Sequence, residues 1–216
     1  MNTFSYIETD KDISLVDYAK KNLVSDPCTW QNGILDHVLR YYNKNHKRVA
    51  LDVGASYGFV STGLAQIFEK VHSFEINTQV LYHLKKNVSS YDNIHVYDFG
   101  LSSKTQKLLA RNEGSKSGMT SIDNSGKELV DLKALDELNI ENIDFIKVDV
   151  EGHEKDFFEG AMKTISTFKP VILFETNCGR ELYSEKNRQY IFNLLKELNY
   201  KFADCRHNDL LFLPPV

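Results

Sequence analysis

The chain has 216 residues, of which 42% are hydrophobic and 26% charged, a composition ordinary for one globular domain with a full core. Its 26 basic and 30 acidic residues give a formal net charge of -4, which argues against nucleic acid as the main partner. No apolar run approaches the ~20 residues that span a bilayer, so no membrane partner is expected.

The N-terminal residues and the cysteines bear on location. MNTFSYIETDKD is polar and acidic, without the basic start and apolar stretch of a signal peptide. Cys28, Cys178 and Cys205 are odd in number and lack CxxC spacing, so they indicate buried or incidental thiols instead of a disulfide framework or a zinc site. We therefore expect a cytoplasmic protein.

Two segments with helical spacing open the chain, DISLVDYAKKNL (12–23) and GILDHVLRYYNK (33–44). They predict an N-terminal helical cap over residues 1–46, and the remaining residues, 47–216, form the core of the same single domain. Within that core, short segments rich in β-branched and aromatic residues predict five strands, at 49–53, 71–76, 93–99, 143–150 and 170–176.

Helical patterns separate or follow these strands, at 59–70, 79–90, 153–168 and 188–198. Strand alternating with helix predicts parallel strands joined by crossover connections. After the last helix, YKFADC and DLLFLP are separated only by RHN, which predicts an antiparallel hairpin. The predicted fold class is therefore α/β, a doubly wound, mostly parallel seven-stranded sheet with an antiparallel C-terminal strand.

One region departs from the alternation of strand and helix. TQKLLAR (105–111) and KELVDL (127–132) predict an additional strand pair, joined by the glycine- and serine-rich segment 111–126. A connection of that length is either a lid or binding loop, or a solvated loop without a role.

A glycine-containing turn follows the first predicted strand. In LDVGASYGFVSTGLA, Asp52 ends the strand, and Gly54 and Gly58 flank a turn into a helix. Glycines there allow a ligand to approach the backbone, and the helix start offers unpaired N–H donors. The pattern is neither the pyrophosphate fingerprint GxGxxG nor a P-loop. Alone, it fits a nucleotide-type cofactor or a tight structural turn.

Two further acids lie at the ends of the next predicted strands. Glu75 lies about 20 residues beyond the glycines, where an acid can accept both ribose hydroxyls of an adenosine. Asp98 ends the third strand, where it can take an adenine amino group while Phe99 packs on the ring. Singly, each acid could be a solvated strand end or a turn former. Together, without a pyrophosphate fingerprint, they favour S-adenosylmethionine over NAD.

With these residues in place, the chain resembles the FkbM family of S-adenosylmethionine-dependent methyltransferases over most of its length, residues 49–214. LDVGASYGFVS resembles the family's DVGANxGxxS, VHSFEIN its VxxFEP, and IDFIKVDVEGHE, the most specific block, its IDFIKIDVEGHE. FEGAMKTISTFKPVILFE and NDLLFLP resemble later elements of the family. Ser56, Asn77 and Gly100 stand where Asn, Pro and Ala are common, and none of these departures removes a needed charge.

The resemblance implies where the cofactor would lie. The methionine portion would contact the glycine turn, the ribose the end of the second strand, and the adenine the end of the third, with S-adenosylhomocysteine as product. The implied contacts are Asp52, Gly54, Ala55, Ser56, Gly58, Glu75, Ile76, Asp98, Phe99, Gly100 and Asp149. The family generally transfers the methyl group to a hydroxyl oxygen of a sugar, glycan or other small molecule, which would be the partner here.

The residues predicted to carry the chemistry are Asp149, His153 and Glu175. Asp149 ends the fourth strand and could face the cofactor's ammonium or the acceptor. His153, whose ordinary pKa is about 6.5, is a candidate general base, and Glu175 could orient it or bind the acceptor. Lys147 alternates with Asp149 and is expected to form an ion pair with Asp52, Asp149 or Glu175.

Several alternatives stay open at the level of sequence. His153 could serve only as a helix cap, and Asp149, Glu175 and His153 have the types that bind Mg²⁺ or Mn²⁺, although no metal site is predicted. An NAD-dependent oxidoreductase would use a similar sheet but would carry GxGxxG. A nucleic-acid methyltransferase acting on base amino groups usually has an Asp/Asn-Pro-Pro-aromatic element after the fourth strand, where this chain has DVEG.

Overall fold

The structure, a computed structural model, describes residues 46–112, 120–176, 185–206 and 209–215. Residues 1–45 of the predicted helical cap, residues 113–119 of the predicted loop, and Cys28 and Cys178 lie outside these ranges. Within them, no helix is both long enough and apolar enough to cross a membrane.

The described residues form eleven strands and five α-helices. The strands are β1 (Val49–Val53), β2 (Lys70–Phe74), β3 (Ile94–Tyr97), β4 (Gly100–Leu101), β5 (Gln106–Asn112), β6 (Thr120–Ile122), β7 (Glu128–Lys133), β8 (Ile143–Val148), β9 (Val171–Glu175), β10 (Lys201–Arg206) and β11 (Asp209–Leu213). The helices are α1 (Phe59–Ala65), α2 (Thr78–Asn87), α3 (Glu154–Glu159), α4 (Met162–Phe168) and α5 (Glu185–Glu197).

Seven strands form the main sheet, in the order β10-β11-β9-β8-β1-β2-β3. β11 is antiparallel to β9 and to β10, and every other neighbouring pair is parallel. This confirms the predicted α/β sheet, mostly parallel with an antiparallel strand near its C-terminal end. The ends of the parallel strands β1, β2, β3, β8 and β9 share one edge of the sheet, the carboxyl edge.

Helices cover both faces of the main sheet, which confirms the doubly wound arrangement. Val60 of α1 packs with Phe145 and Leu173 on one face, the α1 face. Phe157 of α3 packs with Phe174 on the opposite face, together with residues of α4 and α5. Because side chains alternate along a strand, the residues of β9, of β11 and of β8 from Phe145 onward can be assigned to one of these two faces.

A second sheet lies between β3 and β8 in the chain, with the order β4-β7-β5-β6. Its antiparallel β5–β7 pair confirms the predicted additional strands. The segment 111–126 is less irregular than predicted, because Thr120–Ile122 form β6 and pair antiparallel with the end of β5. Asn77 donates from Nδ2 to Thr120 Oγ1 at 2.9 Å, which ties β6 to the start of α2.

The predicted helix 153–168 was wrong in one respect, because it is two helices, α3 and α4, separated at Gly160 and Ala161. A Cβ on Gly160 would lie 1.9 Å from the carbonyl oxygen of Ser102. Backbone contact with the segment after β4 therefore interrupts the helix where periodicity alone predicts continuity. Phe157 and Ala161 on either side of the break remain fully buried.

Candidate active site

The turn between β1 and α1 packs against the loop that follows β8. Gly54 and Gly58 have φ angles of 84° and 87°, in the left-handed region that glycine favours. A Cβ on Gly54 would lie 1.8 Å from the carbonyl oxygen of Asp149, so no larger residue fits. The N–H groups of Gly54 and Ala55 both donate to the carbonyl of Phe74, at 3.0 and 2.9 Å, and fasten the turn to β2.

Glu75 is buried directly after β2, and its carboxylate binds backbone N–H groups. Oε2 accepts from Ser56 at 2.8 Å, and Oε1 accepts from Ile76 at 2.9 Å and Asn77 at 2.7 Å. Burial raises the pKa of Glu75, and the three N–H donors oppose that rise. A carboxylate has about four acceptor positions, so accepting both ribose hydroxyls would require one N–H bond to be given up.

Asp52 is fully buried in β1 and belongs to a small polar cluster. Its Oδ2 accepts from Ser61 Oγ at 2.6 Å, and Ser61 Oγ accepts from Ser73 Oγ at 2.9 Å. Burial raises the pKa of Asp52, opposed chiefly by the charge of Lys147. Among the described residues, Asp52 Oδ1 has no hydrogen-bond partner. A buried acceptor of this kind is rare and fits a donor supplied by a bound molecule.

Asp98, Phe99 and Gly100 follow β3 at the same carboxyl edge. Asp98 is exposed, with Lys85 Nζ 3.8 Å from its Oδ2. Lys133 Nζ lies 4.2 Å from the centroid of the Phe99 ring, a cation–π contact. An adenine stacked on that face of the ring would have to displace Lys133, so the predicted role of Phe99 requires the other face or a movement of the lysine.

Lys147 and Asp149 form an ion pair at the end of β8. Lys147 Nζ lies 3.0 Å from Asp149 Oδ2, and the two side chains are 4% and 30% exposed. Burial works against the charge of the lysine, yet the carboxylates of Asp149 and Asp52 prevail and hold the pKa of Lys147 above its ordinary value. The predicted structural ion pair is thus confirmed, and it fixes the Asp149 carboxylate beside the glycine turn.

Glu175, the last residue of β9, extends this ion pair into a chain of three side chains. Its carboxyl group hydrogen-bonds to Asp149. Burial first, then the negative charge of Asp149, raises the pKa of Glu175 to about 9. Glu175 therefore keeps its proton at neutral pH and can donate it to the Asp149 carboxylate. The resulting chain, Lys147–Asp149–Glu175, crosses from β8 to β9.

His153 precedes α3, and its side-chain partners among the described residues are Ser102 and Asp156. Nε2 lies 2.9 Å from Ser102 Oγ, and Nδ1 lies 3.6 Å from Asp156 Oδ2. Burial lowers the pKa of His153, with a weaker opposing effect from Asp156. Since Gln106 Nε2 donates to Ser102 Oγ at 3.1 Å, the serine proton is available to His153 Nε2. The structure therefore does not bring His153 together with Glu175, which contacts Asp149 instead.

The loop between Asp149 and α3 is closed by Glu154. This buried side chain accepts at Oε1 from the N–H groups of Val150 and Gly152, at 3.3 and 3.2 Å. Glu151 and Gly152 both have positive φ angles, 50° and 101°, which produce the reversal of the chain. Part of the charge in DVEGHE therefore shapes the loop itself, and Glu154 also suits the N-terminus of α3, where negative charge is favoured.

Two residues near the site were not singled out from the sequence, Ser102 and Asp209. Asp209 begins β11 and is in register with Glu175 of β9. Since β11 is antiparallel, its first residue lies at the carboxyl edge, where the parallel strands end. The predicted hairpin indicated the position of Asp209 in part, because the residue after the hairpin turn must return to the carboxyl edge.

Asp149, Glu175 and His153 do not converge as metal ligands. Over the described ranges, no group of three or more His, Cys, Asp or Glu side chains is placed to hold a metal ion. Lys147 Nζ already occupies the position beside Asp149 that a cation would take. The three residues as arranged therefore do not fit a divalent metal site.

A cleft of about 690 Å³ lies at the opposite edge of the sheet, where β1 and β2 begin. Its lining includes Arg48, Lys70, His72 and Tyr97 and none of the predicted site residues. Arg48 forms an ion pair with the buried Asp144, with Nη2 2.8 Å from Oδ1. The glycine turn and the buried charged chain place the candidate site at the carboxyl edge and not in this cleft.

The chain also matches a known protein family. A sequence model of the methyltransferase FkbM domain matches residues 31–202. No curated protein matches the sequence.

The solved structures that resemble the chain include the following three. The FkbM methyltransferase of Methylobacillus flagellatus KT has a TM-score of 0.58 and 17% identity over 97% of this chain, which spans 56% of that chain. The precorrin-6y C5,15-methyltransferase of Geobacter metallireducens GS-15 has a TM-score of 0.51 and 12% identity, covering 82% of this chain and 84% of that one. A Streptococcus mutans protein described as a methyltransferase, in complex with S-adenosylhomocysteine, has a TM-score of 0.52 and 13% identity, covering 88% and 97%. Identities this low establish a shared fold, the class I methyltransferase fold.

Proposed function

Because the chain belongs to the methyltransferase FkbM family, we propose that it methylates a hydroxyl oxygen on a sugar, glycan or other small molecule. Family membership makes it an S-adenosylmethionine-dependent methyltransferase. The identity of the acceptor and the residues that handle its proton form the proposed part.

The residues at the ends of β1 and β2, the cofactor half of the site, have contacts that suit S-adenosylmethionine. Gly54 leaves no side chain over the turn. Asp52 offers a buried acceptor atom that has no hydrogen-bond partner among the described residues. The Glu75 carboxylate can accept a further hydrogen bond beyond those from its N–H donors. Ser56 and Ile76 supply two of those N–H donors, so they would set the position of Glu75. The bound cofactor would supply an electrophilic methyl group on its sulfonium.

The observation that carries the proposal is the Lys147–Asp149–Glu175 chain beside the glycine turn. A carboxyl group whose pKa lies near 9 is, once ionised, a far stronger base than an ordinary carboxylate. Glu175 would accept the proton that the acceptor hydroxyl loses as its oxygen is methylated. Asp149, held by Lys147, would accept a hydrogen bond from the acceptor and orient it.

His153 takes a positioning role in this scheme. Its Nε2 faces Ser102 and its Nδ1 faces Asp156, so it connects the start of α3 to the segment after β4. That connection holds the loop containing Asp149 next to the end of the second sheet. The base role predicted for His153 from the sequence remains the competing assignment, and the variants described in the Discussion separate the two.

The cofactor part is tested by calorimetry with S-adenosylhomocysteine. We expect micromolar binding by the wild-type protein and a loss of about 10- to 100-fold in Glu75→Ala, because a charged hydrogen-bonding group is removed. Asp131→Asn, which changes an exposed carboxylate on the second sheet, is the matched control and should bind normally. Tighter stabilisation by NAD than by S-adenosylhomocysteine in thermal shifts would instead favour an oxidoreductase.

The acceptor part is tested by transfer of a labelled methyl group to glycans, lipids and small hydroxylated metabolites. Glu175→Gln is expected to lower kcat at least 100-fold while leaving cofactor binding within about twofold, since general base catalysis contributes roughly that much. In the wild type, kcat is expected to rise with pH and level off above about 9, as Glu175 ionises. Retention of label on nitrogen atoms or on nucleic acid alone would contradict transfer to a hydroxyl.

A further inference from the structure

The second sheet contacts the short segment between β2 and α2, residues 75–77, which contains the carboxylate of Glu75. Ile76 packs against the small apolar core of the second sheet, which is formed by Ala110, Val130 and Leu132. These residues belong to β5 and β7, outside the main sheet. The position of Ile76 therefore depends on a sheet that contains none of the strands that end at the carboxyl edge.

Asn77, which is only 2% exposed, connects Glu75 with α2 and with β6. Its backbone N–H donates to Glu75 Oε1 at 2.7 Å. Its Oδ1 accepts from the N–H groups of Gln79 and Val80 at 3.0 and 3.4 Å, and so caps α2. Its Nδ2 donates to Thr120 Oγ1 at 2.9 Å. One buried side chain thus fixes the residue whose N–H binds the carboxylate.

The bond to Thr120 belongs to a run of hydrogen bonds that returns to α2. Thr120 Oγ1 donates to Asn112 Oδ1 at 2.8 Å, and Asn112 Nδ2 donates to Glu128 Oε2 at 3.1 Å. Glu128 Oε1 accepts from Oγ1 of Thr78, the first residue of α2, at 2.9 Å. β5, β6 and β7 each contribute one side chain to this run. The second sheet therefore holds the start of α2 at two successive residues.

These contacts fix one oxygen of the Glu75 carboxylate. Oε1 accepts from both Ile76 and Asn77, and a carboxylate oxygen has two acceptor positions, so Oε1 is filled. Oε2 accepts from Ser56 and keeps a second position for a ribose hydroxyl. The direction in which Oε2 points depends on how firmly Oε1 is held. Both donors to Oε1 belong to residues that contact the second sheet.

We infer that Asn77 is a positioning residue of the cofactor site, and that through its contact with Thr120 the second sheet sets the affinity for S-adenosylmethionine. A carboxylate that is already held in place loses less conformational freedom when the cofactor binds, so the affinity is higher. Asn77 stands where Pro is common in the family, and proline has neither the N–H nor the side-chain amide of this link. The inference rests on the ribose contact proposed for Glu75 and adds the second sheet to it.

The test is calorimetric titration of S-adenosylhomocysteine into the wild-type protein and matched variants, with melting temperatures measured on the same samples. Thr120→Val removes the hydroxyl that Asn77 contacts and nearly preserves the shape of the side chain. Asn77→Ser keeps the N–H to Glu75 and a good helix cap, but its side chain is too short to reach Thr120. Thr120→Ser keeps the hydroxyl. Thr105→Val is the control, because Thr105 donates to Glu137 at the end of β5 away from Asn112.

We expect Thr120→Val and Asn77→Ser each to weaken binding about threefold to tenfold, the change expected for loss of one hydrogen bond. The double variant should bind no more weakly than the weaker single variant, because both substitutions break the same contact. Thr120→Ser and Thr105→Val should stay within about twofold of the wild-type Kd. The KM for S-adenosylmethionine should rise with the Kd while kcat at saturating cofactor stays within about twofold.

The outcomes separate this inference from the function on which it rests. Unchanged binding in Thr120→Val and Asn77→Ser, with weakened binding in Glu75→Ala, overturns the inference and leaves the ribose contact standing. Multiplicative losses in the double variant, or an equal loss in Thr105→Val, also overturn it. Wild-type protein that binds no S-adenosylhomocysteine, or a Glu75→Ala variant that binds it normally, overturns the proposed ribose contact as well. Thr120→Val is nearly isosteric, so it decides the question even if Asn77→Ser fails to fold.

Discussion

The cofactor half of the site, at the ends of β1 and β2, is held together by backbone groups. N–H donors of Ser56, Ile76 and Asn77 bind the Glu75 carboxylate, and Gly54 packs against a carbonyl oxygen. The acceptor half, at the ends of β8, β9 and β11, is held by charged side chains. The cofactor half therefore tolerates few changes of backbone conformation. The acceptor half depends on the balance of charges on three strands.

This difference decides how each half can be perturbed. Substitutions of the backbone-determining residues of the cofactor half, such as Gly54, act through sterics and φ angles, and their effects should be insensitive to pH and salt. Substitutions in the acceptor half leave charges unpaired or remove a titrating group, so their effects should vary with pH. The following variants test that contrast.

Gly54→Ala is expected to have the largest effect. The added Cβ would meet the Asp149 carbonyl oxygen at 1.8 Å, and the residue would keep a φ angle near 84°. Steric overlap and strain together should cost about 3 kcal/mol or more and abolish cofactor binding. Thermal unfolding and calorimetry measure the two effects. Ser56→Gly in the same turn keeps the N–H that binds Glu75, and glycine favours the φ angle of 49° found at this position. This variant should therefore bind the cofactor within a few-fold of the wild-type affinity. A large loss of affinity would contradict the account based on backbone conformation.

Lys147→Met should destabilise the protein by about 3–5 kcal/mol, because it leaves buried carboxylates without their cation. Lys147 is 4% exposed and is the ammonium that faces both Asp149 and Asp52. Urea unfolding at neutral pH measures the change. The double variant Lys147→Met with Asp149→Asn should recover much of the loss, since one of the unpaired charges is gone. Additive effects of the two substitutions would show that the ion pair does not couple these residues.

Glu175→Gln should change how stability depends on pH. An unfolded glutamate titrates near 4.5 and the folded one near 9, so the folded state loses stability as pH rises through that window. The variant does not titrate, so relative to wild type it should gain up to about 5 kcal/mol between pH 5 and pH 9, at about 1.4 kcal/mol per pH unit. Melting temperatures across this range measure the gain. A difference that stays constant from pH 5 to pH 9 would contradict the raised pKa.

The variants His153→Ala and Ser102→Ala test whether His153 positions the loop or acts as the general base, and their expected effects are the smallest. If His153 positions the loop through Ser102 Oγ, each variant should lower kcat about threefold to tenfold, and the double variant should do no worse than either. The rise of kcat with pH should survive in all three. Loss of 100-fold or more in His153→Ala alone, with loss of the pH dependence, would restore it as the general base.

The fold was largely predictable because its signals are local. The strand VALDV was placed at its observed bounds, and the hairpin and the additional strand pair were also predicted from short-range patterns. The helix break at Gly160 was not predicted, because it follows from contact with Ser102, a residue distant in the sequence. Contacts of this kind appear only once the chain has folded.

The candidate site divides in the same way. The positions of Glu75, Asp149 and Glu175 follow from strand ends, which sequence patterns locate well. The partners of His153 and the place of Asp209 depend on which strands become neighbours and on their register. The three N–H bonds to Glu75 could not be foreseen either, since they arise from the conformation of two turns.

The position of β11 between β9 and β10 has a consequence for the order in which the site forms during synthesis. A ribosome completes β1, β2, β8 and β9 well before it reaches Asp209, and domains fold largely as their segments emerge. The glycine turn and Glu75 can meet while the nascent chain still lacks the strand that must enter between its neighbours. The cofactor half of the site would then form before the acceptor half along the folding route, because β11 enters between β9 and β10 after the other strands of the main sheet have been made.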